Sequence, residues 1–406
     1  FLFKLLESTW TTPTPRSTRR GHRSPAWQRG PCQEQRMAVL DWLCVGGGPC
    51  GTIAVGALLD RGSTVAWVDQ RKWADMGRLG TYSSVPSNTR NDRICAAFEA
   101  LNAFEFAEAQ KKRAARGEAT LSAANPLSTS DLALAVDALS DASAAMRKSG
   151  RLNLAEDGVQ VESLDRTDGV WVAACKKGEI TFEVRARHVA LATGAAPRGP
   201  SAEVVNALKA AGIEVLEFDS VVAPARAAEA ALSGVRFAVI GGSHSGMLAA
   251  RNVLARHEDN SVLVVSNSPL KFAEERENYI KFDGTGLKGD VAAWARAPND
   301  RLRFDIHRYN DLDLIEKLRR ESISAAVFTI GFVQSRTVAL AGNGQHDGRT
   351  GRLAPGLVGL GIGYPEFWTD EEGYTEPRVG FVLHFLAHCR RAIDAAEAPE
   401  AVGDNQ

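Results

Sequence analysis

The chain has no C-x-x-C pair. Its six cysteines (Cys32, Cys44, Cys50, Cys95, Cys175 and Cys389) are scattered along 406 residues. That pattern excludes a cysteine zinc site and a secreted disulfide framework, and it fits a reducing compartment. Long apolar runs are missing as well: nothing approaches the roughly 18 to 20 consecutive apolar residues of a membrane span. Nor is there an excess of either charge. With a net charge of −1, no global field draws the chain to nucleic acid or to an anionic membrane. Beyond the N-terminal segment, basic residues are interspersed with acidic ones, unlike a nucleic-acid-binding stripe. What remains is a globular composition, 44% apolar and 24% charged, in a length that suits two to three domains.

The first 36 residues read differently from the rest. They carry six arginines and one lysine against Glu7 and Glu34, are rich in Ser, Thr and Pro, and show no apolar periodicity. Two readings stay open: an organelle transit peptide, or upstream sequence wrongly joined to the gene, with Met37 as the start. Residues 1–36 are therefore set aside as a disordered extension. The expected location is cytoplasmic, or an organelle if the segment is a transit peptide.

Ala38 to Val45 is apolar and β-prone, and it runs straight into Gly46-Gly47-Gly48-Pro49-Cys50-Gly51. The segment that follows suits a helix closed by Gly62, and the next strand, Ser63 to Val68, leads to Asp69 and Gln70. In this order the parts form a dinucleotide-binding unit. Gly46 makes the tight turn, Gly48 lets a diphosphate approach the backbone, and Gly51 lets helix and strand pack closely. The helix amino terminus offers free N–H groups to phosphate, and Asp69 suits the ribose hydroxyls. Cys50 reads either as a redox thiol or as a small residue beside the diphosphate. The second reading is preferred because no partner cysteine is near in sequence.

A second unit repeats the first. The strand Val235 to Ile240 precedes Gly241-Gly242-Ser243-His244-Ser245-Gly246, a helix over 246–256 and a strand ending at Ser266-Asn267. No acid stands at that strand end, which removes repulsion against a 2′-phosphate, and Lys271 is near in sequence to supply positive charge. The expected nucleotide is NADPH before NADH. His244 is taken as a loop residue near the diphosphate before a catalytic base, and no residue is singled out as catalytic or as a metal ligand. Between the units, Ser128-x-x-Asp131 signals a helix start. Runs at Val159–Leu164, Gly169–Ala174 and Glu179–Arg187 then predict an antiparallel meander. A separate strand follows from His188 to Thr193, ending in Ala192-Thr193-Gly194-Ala195-Ala196-Pro197.

This order of loop, acid, meander, ATG-x-x-P and second loop resembles the two-dinucleotide-binding-domain flavoproteins. That superfamily includes the pyridine nucleotide-disulfide reductases and the flavin-containing and N-hydroxylating monooxygenases. The resemblance covers about residues 38–395, with a late strand at Ala326–Phe332 and a glycine stretch reaching Gly361. It implies an α/β fold with two Rossmann-like domains. The FAD-binding domain would comprise 37–199 and 325–396, the NAD(P)H domain 200–324, and the tail 397–406. It further implies that Gly46, Gly47, Gly48, Pro49, Cys50, Gly51, Asp69, Gln70, Thr193, Gly194, Gly361 and Gly380 hold FAD. Gly241, Ser243, Ser245, Gly246 and Ser266 would hold NADPH or NADH. A final helix over 377–393 would point its amino terminus at the flavin, with Arg390 and Arg391 near its end. The reductase dithiol has no counterpart, which favours electron transfer to oxygen in a monooxygenase-like reaction on a small molecule. A reductase or oxidase without oxygen insertion, and a non-catalytic redox sensor, are the alternatives. Gly77-Arg78-Leu79 and Asp283 to Gly289 stand out as local signatures or as surface turns.

Overall fold

Short apolar segments bounded by glycine build two sheets. The structure, a computed structural model, describes residues 38–87, 89–124, 132–223, 233–335, 338–340, 345–379 and 382–398. In the first sheet, β1 (Leu40–Val45) and β2 (Val65–Asp69) pair in parallel and are almost wholly buried, as strands covered on both faces must be. β3 (Leu154–Asp157) adds in parallel to β2. β4 (Gln160–Thr167), β5 (Val170–Lys177) and β6 (Ile180–Leu191) form the expected meander. Its turns use Asp168 and Gly169 at φ 52° and 77°.

The hydrophobic pattern divides β6 into two strands, and the structure corrects this. One strand of 12 residues pairs antiparallel with β5 over Ile180–Ala186 and parallel with β1 over Ala186–Leu191. Its outer half is largely exposed and its inner half buried, so a single strand changes hydrophobic pattern as it passes from sheet edge to core.

β7 (Ala195–Pro197) leaves this sheet, and a second, all-parallel sheet follows. Its strands are β8 (Glu214–Leu216), β9 (Arg236–Ile240), β10 (Ser261–Ser266), β13 (Leu302–Ile306) and β14 (Ala325–Phe328), in the order β13-β10-β9-β14-β8. A small hairpin, β11 (Glu274–Glu275) and β12 (Ile280–Lys281), lies in the excursion after β10. The late strand expected over Ala326–Phe332 divides in two. β14 completes the second sheet, and beyond Gly331 (φ 96°) β15 (Phe332–Gln334) pairs with β7. Residue 325 onward therefore does not pass whole into the first unit.

The chain returns to the first sheet through β16 (Ala339–Leu340), β17 (Arg352–Ala354) and β18 (Leu357–Gly359), the last parallel to β6. β19 (Glu366–Thr369) and β20 (Thr375–Arg378) form a hairpin, and the last helix spans Leu383–Glu397. This corrects the helix expected from residue 377: Pro377 and Arg378 are held in the hairpin opposite Phe367 and Glu366. Arg390 and Arg391 consequently lie inside the helix. Arg391 pairs with the buried Glu366 at 2.5 Å, and Arg390 donates to the Ala100 carbonyl at 3.0 Å. Val382, Leu386 and Ile393 are buried against the core that also takes in Ile53, Ala57 and Leu139. Helix Leu132–Lys148 forms as expected, while its proposed cap, Ser128 to Asp131, lies outside the described residues.

Candidate cofactor site

The two glycine loops share one construction. Gly48 caps helix Pro49–Asp60 at φ −74°, ψ −174°, and Ser243 caps helix His244–Arg256 at φ −84°, ψ −174°. Pro49 sits in the first turn, where its missing N–H has no helical partner to lose. Gly46 has φ +119° and Gly241 φ +118°. A Cβ on Gly46 would strike the Ala192 carbonyl, and one on Gly241 the Thr329 carbonyl. A Cβ on Gly51 would strike the Gly46 carbonyl, and one on Gly246 the Gly241 carbonyl. These four glycines let helix and strands close upon one another.

Gly48 has a different role. A Cβ there would find nothing closer than 3.8 Å, with Gly77 Cα and the Met76 carbonyl oxygen as its neighbours. The space beside it belongs to a cavity of ≈350 Å³. Gly46, Gly48, Pro49, Cys50, Asp69, Gln70, Thr193, Gly194 and Gly361 all line that cavity. The residues expected of the second loop do not, and neither do Gly47 and Gly51. Gly380 lies outside the described residues.

Asp69 is buried at the end of β2, accepting from the backbone N–H of Gly47 and, at 2.6 Å, of Arg71. Burial raises its pKa, and these backbone bonds oppose the rise. At the matching end of β10, Ser266 donates to the Ser268 carbonyl at 2.7 Å and lies under Gly242 as Asp69 lies under Gly47. Lys271 is committed elsewhere: its ammonium meets the Tyr374 hydroxyl at 2.8 Å and lies over the Phe282 and Tyr374 rings. The cation expected for a 2′-phosphate is thus engaged with the β19–β20 hairpin. His244 begins its helix, and burial, with Lys288 and Arg251 nearby, depresses its pKa to about 4. It is therefore neutral near pH 7.

Cys50 does have a partner, one that distance along the chain conceals. Its Sγ lies 3.8 Å from Sγ of Cys389 on the last helix, and both are buried. The hydrogen bond to Cys389 and burial push the Cys50 thiol well above its usual range, which leaves it a poor nucleophile. Gly361, at φ +78°, packs directly on it: a Cβ would come 2.8 Å from Cys50 Cβ. The demand at position 50 is for a small side chain.

Two polar clusters carry roles that the sequence does not assign. Arg78 and Tyr82 line the cavity, and both reach Asp219 in the second unit's helix Phe218–Val222. Arg78 Nη2 lies 2.9 and 2.7 Å from the two Asp219 oxygens, and the Tyr82 hydroxyl donates at 2.5 Å. Burial, then Asp219, push Tyr82 up to about 12. In the second cluster, Asp283 joins Lys288 to His384 Nε2 (3.1 Å). Burial raises the Asp283 pKa, but His384 and Lys288 outweigh it and hold the carboxyl well below the usual range. Both clusters fall on segments that stand out in the sequence, Gly77-Arg78-Leu79 and Asp283 to Gly289. Their partners are too distant along the chain to be read.

No family model matches the chain. Monooxygenase AgnR1 of Paecilomyces divaricatus is 30% identical over 384 residues, covering 86% of this chain and 96% of that protein. The chain belongs to the family of this monooxygenase. Among solved structures, L-lysine 6-monooxygenase from Pseudomonas syringae has a TM-score of 0.56 at 14% identity over 88% of this chain and 99% of its own. The ornithine N-hydroxylase of Kutzneria sp. 744 gives 0.54 at 14% over 89% and 99%. These neighbours share the two-dinucleotide-binding flavoprotein fold.

The chain is thus a member of a monooxygenase family, and its two loops suit FAD and a nicotinamide dinucleotide. The space at Gly48 is a cradle that a Cβ would fill, it faces a helix amino terminus, and a buried carboxylate stands at the adjoining strand end. The second loop has the same backbone, with a hydroxyl in place of that carboxylate. Among the described residues no three or more metal-ligating side chains gather, and no helix is long and apolar enough to cross a membrane.

Proposed function

We propose that this monooxygenase holds FAD on Gly46 to Gly51, Asp69, Gln70, Thr193, Gly194 and Gly361, and NADPH on Gly241, Ser243, Ser245, Gly246 and Ser266. The observation that carries the reading is the doubled loop, in which one open glycine cradle borders the cavity and its counterpart is capped by Ser243. When bound, the flavin would supply redox chemistry between the nicotinamide and oxygen. The chain's own residues bind and orient. The helix end at Gly48 faces diphosphate, Asp69 faces ribose, and Ser266 leaves room for a 2′-phosphate where a carboxylate would repel it. The substrate is a small organic molecule, which would gain one atom of O2 while the other leaves as water.

Purified protein should be yellow and should bleach on anaerobic addition of NADPH. With its substrate it should consume NADPH and oxygen in equal amounts with little peroxide. Equal production of peroxide under all conditions would make it an oxidase, and an unbleached flavin would remove NADPH from the reaction.

A further inference from the structure

Arg78 belongs to a segment whose sequence alone suggests no chemistry, and its surroundings are unusually specific. Gly77, at φ +59°, lies against the open cradle: a Cβ on it would be 3.3 Å from Gly48 Cα. The next side chain therefore starts beside the diphosphate loop, and Arg78 lines the same cavity. One end of its guanidinium is fully committed. Nη2 takes both Asp219 oxygens at 2.9 and 2.7 Å and lies 3.5 Å from the Tyr82 hydroxyl. The other edge is not, because Nε is buried and has no hydrogen-bond partner. Nε is sealed from the cavity, but the side chain as a whole remains 29% exposed, and an anion in the cavity is the partner that suits a cation so incompletely paired. Tyr82 donates to Asp219 at 2.5 Å, which shares that carboxylate's charge and leaves the guanidinium less than fully neutralised.

We infer that Arg78 is an FAD-binding residue, offering the exposed part of its guanidinium to the diphosphate while Asp219 and Tyr82 hold Nη2. The inference rests on the reading that the first loop holds FAD. A planar fork can serve two acceptors at once in fixed directions, which an ammonium cannot. The arrangement also links the two nucleotide units. Asp219 lies on helix Phe218–Val222, whose Val221 and Val222 carbonyls accept from Asn252 Nδ2 at 2.9 Å, and Asn252 belongs to the helix that starts at the second loop. The residue that touches the first cofactor is thereby braced against the unit that holds the second.

The test is an equilibrium titration of the deflavinated full chain with FAD, at low and at high salt. Wild type should bind FAD, and less tightly as salt rises, because an exposed ionic contact is screened. Arg78→Gln should weaken binding by roughly tenfold or more, the scale of a lost charge-assisted hydrogen bond, with a shallower salt dependence. Arg78→Lys, which keeps a cation for Asp219 and guards against misfolding, should fall between the two. Asp219→Asn should weaken FAD less than Arg78→Gln does, and the double variant should lose little beyond Arg78→Gln alone. Folded Arg78→Gln protein that binds FAD like wild type, or that weakens with an unchanged salt dependence, would overturn the assignment and leave Arg78 as a brace between units. Wild-type protein with no affinity for FAD would instead remove the reading on which it rests.

Discussion

Gly48 and Ser243 adopt nearly the same backbone angles, so conformational freedom is not what demands glycine at position 48. Space is: the missing Cβ is the cavity wall. Gly51 obeys the opposite logic, since its missing Cβ would collide with the Gly46 carbonyl. The two positions should therefore fail in different ways. Gly48→Val should yield folded but colourless protein, because the branched side chain occupies the diphosphate's place. Gly51→Ala should forfeit about 1–3 kcal/mol of stability through overpacking between helix and strand, visible as a lowered denaturation midpoint. Asp69→Ala should retain flavin more weakly than wild type, having lost ribose contacts but not the phosphate cradle. Flavin content and chemical denaturation measured on the same three preparations separate these outcomes, and a fully loaded Gly48→Val protein would contradict the site. The glycines are legible because each answers a local demand that spacing reveals. Arg78 is not: its meaning lies in Asp219, 141 positions away.

At the scale of elements, strands and helices with a uniform environment can be read, and those that change environment cannot. β1, β2 and β9 are buried and apolar along nearly their whole length, and the sequence places them correctly. β6 is exposed at one end and buried at the other, so its change of pattern reads as a break between strands. The sequence places the last helix six residues early because Pro377 suits a first helical turn as well as the hairpin it occupies. Pairing with β19 decides between them, and pairing is not a local property. The end of β10 supplies a test at this scale. Ser266 sits under Gly242 as Asp69 sits under Gly47, so Ser266→Asp recreates the acid of the first unit in the second. It should shift the ratio of kcat/KM values for NADPH and NADH by roughly tenfold toward NADH, about the worth of one charge-assisted hydrogen bond. Because Lys271 is held by Tyr374, no rescue of the 2′-phosphate should come from that side chain. A variant that keeps the wild-type ratio would show that this strand end does not face the nucleotide.

For the molecule as a whole, buried histidines should make stability fall in mild acid, above the range in which the paired carboxylates titrate. Burial lowers the pKa of His188, His244, His346 and His388, and it takes His244 and His388 down to about 4. His388 is nearly inaccessible, its Nε2 has no hydrogen-bond partner, and Arg391 adds to the cost of charging it. The sign follows from proton counting. Between about pH 6.5 and 4 the unfolded chain binds protons at these rings and the folded chain does not, so acid pulls the equilibrium toward unfolding. The stability they contribute is complete above about pH 6.5 and is lost as pH falls toward 4. Asp69 acts in the opposite sense, because its folded pKa is raised, but only near the carboxylate range. For His388 alone, a displacement from 6.5 to about 4 corresponds to roughly 3 kcal/mol across that window. His388→Gln, which cannot charge, should therefore show a flatter fall in unfolding free energy between pH 6.5 and 4.5 than wild type does. It should also be less stable near pH 7 only to the extent that its amide packs poorly. Urea denaturation at a series of pH values measures both quantities. Parallel curves for the two proteins would mean that His388 takes up its proton as readily in the folded chain as in the unfolded one, and that the acid sensitivity arises among the other three rings or the paired carboxylates.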